Sequence, residues 1–156
     1  MKLKKGAWPM HDPAWVVIDT NVALDIWIFK DPRTEYLKSV LMGGELTWIA
    51  TEEMREELKR VLGYAHINLR LQSLGLVIEE ILNRFDFLVV LKEVAPKAIY
   101  RCKDEDDQKF IDLAVKYQTP LISKDKCVLT MKNRLKRLNV SVMPEWKYPA
   151  EKAGLS

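Results

Sequence analysis

Cysteine and histidine are scarce in this chain. Cys102 and Cys127 are the only cysteines, widely spaced and in no C-x-x-C pattern, which implies reduced thiols in a cytosolic protein. His11 and His66 are the only histidines, and neither has zinc-site spacing. This argues against a soft-metal centre. No stretch reaches the ~18 apolar residues of a membrane helix. The basic start, Lys2 to Lys5, leads into Trp8, Pro9, His11, Asp12 and Pro13 instead of an apolar leader, so no signal peptide is expected. There is no internal repeat, no low-complexity segment and no G-x-x-x-x-G-K-[ST] loop for nucleotide phosphates. The formal net charge of +3 is too small to imply nucleic acid by itself.

The chain does contain short apolar runs alternating with helix-like stretches. Its 156 residues are 48% hydrophobic, which suits one compact domain. Strands are expected over residues 15–19, 46–49, 87–90, 120–123 and 140–142. Helices are expected over 22–29, 34–42, 52–62, 65–83 with a break near Gly75, 104–117 and, strongly basic, 126–138. Strands alternating with helices imply βαβ units. The fold class is therefore α/β, a three-layer α/β/α domain around a parallel sheet of about five short strands. We place the domain at 15–143, with an N-terminal arm at 1–14 and a tail at 144–156. Trp8, Trp15, Trp146 and Tyr148, in arm and tail, suit either cover for the core edge or a dimer or partner surface, and cover is preferred.

The acids sit in telling places. Val16-Val17-Ile18 reads as a strand buried on both faces, and Asp19 stands where it ends, at the edge where open α/β folds bind ligands. Asp125 follows the apolar run 120–123 by two residues. On the helix 52–62, Glu57 alone among Glu52, Glu53, Glu56 and Glu57 borders the stripe of Met54, Leu58, Val61 and Leu62. On the helix 104–117, Asp107 lies in the middle of the stripe of Phe110, Ile111, Ala114 and Val115, with Asp104 a turn earlier on the same side. Simpler readings exist for each: Glu57 as a rim glutamate paired with a base, Asp104 and Asp125 as helix caps. They do not explain an aspartate on a core-facing stripe, because an uncompensated buried carboxylate costs several kcal/mol. Carboxylates converging on one pocket call for a cation, and an oxygen-only donor set suits a hard ion such as Mg²⁺ or Mn²⁺.

Four segments in this order resemble a PIN-domain ribonuclease: Asp19-Thr20-Asn21, the helix from Thr51 to Leu62, Asp104-Glu105-Asp106-Asp107-Gln108-Lys109-Phe110, and Ser123-Lys124-Asp125. The likeness spans roughly 15–143 and is greatest to the bacterial members classed as toxins of toxin–antitoxin pairs. It implies Mg²⁺- or Mn²⁺-dependent hydrolysis of RNA phosphodiesters in the cytoplasm, a protein antitoxin as partner, and a possible homodimer. It implies Asp19, Glu57, Asp107 and Asp125 as the catalytic acids. Asp19, Asp107, Asp125 and Asp104 would bind metal, with Glu57 either a ligand or a general base. Asn21 and Thr51 match positions that orient the carboxylates, and Ser123 matches the small hydroxyl residue before the last aspartate. Glu105 departs from the pattern, since relatives often carry proline there. Asp25, one turn beyond Asn21, stays a candidate for the rim. Basic residues nearby suit a polyanion held by its backbone: Lys124 and Lys126 beside Asp125, Arg101 and Lys103 before Asp104, and Lys132, Arg134, Lys136 and Arg137 on the last helix. They equally suit a solvated helix face.

Two other readings are weighed. A PIN-like module that binds RNA or a protein without cutting would have no need of all these acids. A haloacid-dehalogenase-type phosphatase needs a second aspartate two after the first, where this chain has Asn21.

Overall fold

The computed structural model describes residues 13–147. Most of the expected arm, with Trp8, and the end of the expected tail, with Tyr148, lie outside them. Five strands alternate with helices: β1 (Ala14–Ile18), α1 (Thr20–Trp27), α2 (Glu35–Met42), β2 (Leu46–Ala50), α3 (Glu52–Leu62), α4 (Ala65–Ser73), α5 (Ile78–Leu88), β3 (Val89–Leu91), α6 (Glu105–Tyr117), β4 (Leu121–Ile122), α7 (Lys126–Leu129), α8 (Lys132–Lys136) and β5 (Val142–Met143). The strands form one sheet in the order β3-β2-β1-β4-β5, and every pairing is parallel. Helices flank the sheet to give three layers. Strand order reverses between β1 and β4, so a crevice opens at the carboxyl ends of those two strands.

The β-branched run Val16-Val17-Ile18 is buried, as a strand covered on both faces requires. Trp48 of β2 anchors one face of the sheet. Its ring stacks on Trp27 of α1 at 5.3 Å and meets Phe85 of α5 edge-on at 5.5 Å. Such aromatic pairs contribute about 0.5–1.5 kcal/mol beyond their burial. Trp15 is half-buried and packs edge-on against Tyr117, and Trp146 is buried in the core. No helix among the described residues is long and apolar enough to cross a membrane.

Several boundaries differ from the sequence expectation, among them α1, which runs over Thr20–Trp27 and not 22–29. Phe87 and Leu88 end α5 instead of starting β3, and Phe87 is 81% exposed. The stripe Ile78, Ile81, Leu82 and Phe85 carries the helix past residue 83, and a four-residue apolar run cannot by itself separate helix from strand. The basic helix expected over 126–138 is two short pieces, α7 and α8. Thr130 interrupts it: its hydroxyl bonds back to the Cys127 carbonyl at 2.9 Å, a local bond that competes with helix continuation. β5 starts two residues later than expected, at Val142. The expected break near Gly75 is present, with that glycine at φ +71° between α4 and α5.

Candidate active site

Sheet register places the first residues of the site. Ile18 pairs with Ile122, and Val16 with Trp48. One step beyond these strands, Ser123 and Thr51 fall on either side of Asp19. Asp19 caps α1: its Oδ1 accepts the Val22 N–H at 3.0 Å, and its Oδ2 accepts the Ser123 hydroxyl at 2.5 Å. The same Ser123 oxygen accepts the Asp125 N–H at 3.1 Å. Asp19 is only 4% exposed. Burial pushes its carboxyl up to about 6, against the opposing pull of the Ser123 and Val22 bonds.

The start of α6 supplies the next two acids. Asp104 is its cap, with Oδ1 accepting the Asp106 N–H at 2.9 Å, and Asp107 is half-buried one turn on. Asp125 caps α7 through the Cys127 N–H at 2.8 Å. Asp104, Asp107 and Asp125 each offer a carboxylate oxygen within 4.8 Å of the others. Burial first, and then the charges of Asp125 and Asp104, push the Asp107 carboxyl up to about 7. Asp107 and Asp125 lie close enough to bond only if one of them keeps a proton. As ionised groups both are acceptors, and Asp107 Oδ2 is buried with no donor. An oxygen-only donor set with a starved buried oxygen fits a hard divalent cation.

Capping and ligation are compatible here. Asp19, Asp104 and Asp125 each commit Oδ1 to a backbone N–H. For Asp104 and Asp125 the second oxygen remains available. The N-termini of α1 and α6 also add partial positive charge that favours anions.

Glu57 lies apart from this close set. As the helix-face reading expects, it is half-buried while Glu52, Glu53 and Glu56 are exposed. However, its Oε2 accepts the Thr20 hydroxyl and its Oε1 lies 2.5 Å from Lys109 Nζ. Thr51 is buried and caps α3, its Oγ1 facing the Met54 N–H at 3.4 Å. Asn21 is exposed on the first turn of α1. Among the described residues neither side chain donates a hydrogen bond to a carboxylate. Thr51 acts on the helix that carries Glu57 through its cap bond.

The basic residues divide in two. Lys124 forms an ion pair with buried Asp25, so its charge is met within the fold. Lys126, Arg101, Lys103, Lys132, Arg134, Lys136 and Arg137 are exposed. A further polar set was not legible in the sequence. Gln108 accepts the Cys102 N–H at 2.5 Å and donates to the Tyr100 carbonyl at 3.2 Å and to Asp112 Oδ1 at 2.8 Å, while Asp112 Oδ1 also accepts the Ala98 N–H at 2.8 Å. The two side chains, one helical turn apart on α6, tie the strandless segment 92–103 to that helix. Their i, i+4 spacing on a buried face was the available signal.

The parallel α/β/α sheet gathers acids at its switch point. Residues 15–126 match the family model of the PIN domain, and the chain belongs to that family. PIN domains are generally nucleases that act on RNA, and they typically use divalent metals. No curated protein matches the chain.

Proposed function

We propose that the protein is a Mg²⁺- or Mn²⁺-dependent endoribonuclease, working in the cytoplasm as the toxin of a toxin–antitoxin pair. The observation that carries the catalytic reading is the set Asp104, Asp107 and Asp125, whose oxygens lie within 4.8 Å of one another around a buried oxygen with no donor. These three would hold the ion, and Asp19 borders them through Ser123. A divalent ion bound there offsets charge on the scissile phosphate and makes a coordinated water more acidic. The remaining work falls to the chain itself. Ser123 fixes the rotamer of Asp19 and the backbone of Asp125 together. The caps fix one oxygen each of Asp19, Asp104 and Asp125, so these acids are pre-oriented. Lys126 and Arg101, both exposed, would hold the RNA backbone without reading sequence.

A groove of about 510 Å³ supports a protein partner. Ile26, Trp27, Met42, Phe87 and Leu88 give it an apolar lining, and Lys30, Lys38 and Arg84 line it with positive charge. Helices in βαβ units run opposite to the strands, so these last turns of α1, α2 and α5 lie at the amino edge of the sheet, away from the acids.

The test is cleavage of single-stranded RNA with Mn²⁺, with Mn²⁺ plus EDTA, and with Asp107→Asn. Cleavage that EDTA and the substitution both abolish supports the reading; undiminished cleavage by Asp107→Asn refutes it. RNA binding without any cleavage favours the non-catalytic module instead. Induced expression that arrests bacterial growth for the wild type but not for Asp107→Asn tests the toxin role.

A further inference from the structure

Glu57 differs from the other site acids in that its charge is already met. Its two oxygens face the Thr20 hydroxyl and the Lys109 ammonium, and the pair is well shielded, with side chains 13% and 17% exposed. Lys109 Nζ also donates to the Asp106 carbonyl at 2.5 Å. The ammonium is therefore held from both sides, between α3 and the first turn of α6. By contrast, no lysine or arginine among the described residues stands within ion-pair distance of Asp104, Asp107 or Asp125. The crevice thus has one half filled by a cation of the chain and one half whose negative charge is uncompensated.

We propose that Lys109 is the resident cation of the Glu57 half, so that the centre takes one divalent ion, at Asp104, Asp107 and Asp125, and Glu57 positions Lys109 instead of binding metal. The inference rests on the metal-centre reading above and narrows it. For Glu57 to serve a second ion, the shielded pair must break, stranding the Lys109 ammonium beside the incoming dication. Like charges at that range repel strongly in a partly desolvated site. An ammonium has three protons, and Glu57 and Asp106 take two. The third is left to meet a phosphate oxygen, so Lys109 supplies the charge that a second ion would bring.

The test is Mn²⁺ titration of the metal-free full chain, followed by electron paramagnetic resonance and calorimetry for stoichiometry and affinity. The wild type and Glu57→Gln should each bind one ion with similar affinity, whereas Asp107→Asn, which removes a direct ligand, should weaken binding by at least the roughly 10–100-fold typical of losing an outer-shell partner. Lys109→Met should take a second, weaker ion, and Lys109→Arg should stay at one. Circular dichroism establishes that each variant is folded, and Lys109→Gln, which also removes the charge, replaces Lys109→Met in the same titration if Lys109→Met is not. Two ions in the wild type, a loss of about tenfold or more in Glu57→Gln, or a single ion in folded Lys109→Met overturns the proposal. A wild type that binds no Mn²⁺ overturns the metal centre and this inference together. One-ion binding without RNA cleavage supports the inference and overturns the nuclease reading alone.

Discussion

The Ser123 hydroxyl donates to Asp19 Oδ2 at 2.5 Å, joining the first residues beyond two neighbouring strands. Because the same oxygen accepts the Asp125 N–H, one side-chain atom sets the spacing of two acids. Ser123→Ala should lower Mn²⁺-dependent cleavage by roughly 10–100-fold. It should also cost about 1–3 kcal/mol, because a buried donor and acceptor lose their partner. Single-turnover cleavage and urea unfolding measure the two effects, and a fully active alanine variant would contradict the positioning role.

Metal-free stability should depend on pH through Asp107. Its carboxyl lies at about 7 in the fold, against 3.8 as the ordinary value. Between those values the folded chain retains a proton that the unfolded chain has lost, so this group's contribution to stability falls as pH rises through the window. Asp19, at about 6, has the same sign. Asp107→Asn should therefore match the wild type below pH 4 and exceed it at pH 8. Discounted for the partial exposure of the group, the gain is roughly 2–4 °C in Tm. Saturating Mn²⁺ should narrow or reverse the order at pH 8, because it stabilises the wild type more than the weaker-binding variant. Thermal melts at both pH values, with and without Mn²⁺, measure this.

Lys124 and Lys126 should behave differently although they flank the same aspartate. Lys124→Met leaves buried Asp25 unpaired and should cost about 1–3 kcal/mol, less than a fully buried pair. The double variant Asp25→Asn/Lys124→Met should recover most of that loss. Lys126→Met should leave stability unchanged and reduce the salt dependence of RNA binding by about one phosphate contact. Unfolding curves and binding titrations at two salt concentrations separate the cases; equal stability losses in Lys124→Met and Lys126→Met would disprove the distinction.

Gln108 should be structural. Gln108→Leu removes its bonds to Cys102, Tyr100 and Asp112 and should cost about 2–4 kcal/mol through the orphaned partners. Glu105→Gln, exposed on the same helix, should be silent. Urea unfolding tests both, and similar midpoints for the two variants would rule out a tie between α6 and the segment 92–103.

Legibility in the sequence followed the range of the interactions. A β-branched apolar run made the buried strand at Val16–Ile18 plain, and strong periodicity the helix Glu52–Leu62, with Thr51 as its cap. The same periodicity turned Glu57 and Asp107 inward and left Glu52, Glu53, Glu56, Glu105 and Asp106 in solvent. Phe87 misled, because a short apolar run has no period of its own. Lys109 was also missed. It stands beside an acid-rich helix start, where a solvated lysine is ordinary, and its partner Glu57 lies 52 residues away. No local pattern shows that a flexible side chain spans from α6 to α3. The cap reading of Asp104 and Asp125, set against the metal reading in the sequence, describes the other oxygen of the same carboxylates.

The strand order β3-β2-β1-β4-β5 sends the clustered site acids to one end of the strands and the cationic groove to the other. Changes in the last turns of α1, α2 and α5 can therefore reshape that groove while the acid cluster stays as it is. An inhibitor seated in that groove would leave the crevice open, so it would have to act by reach, extending a segment around the domain, and not by plugging the site where it binds.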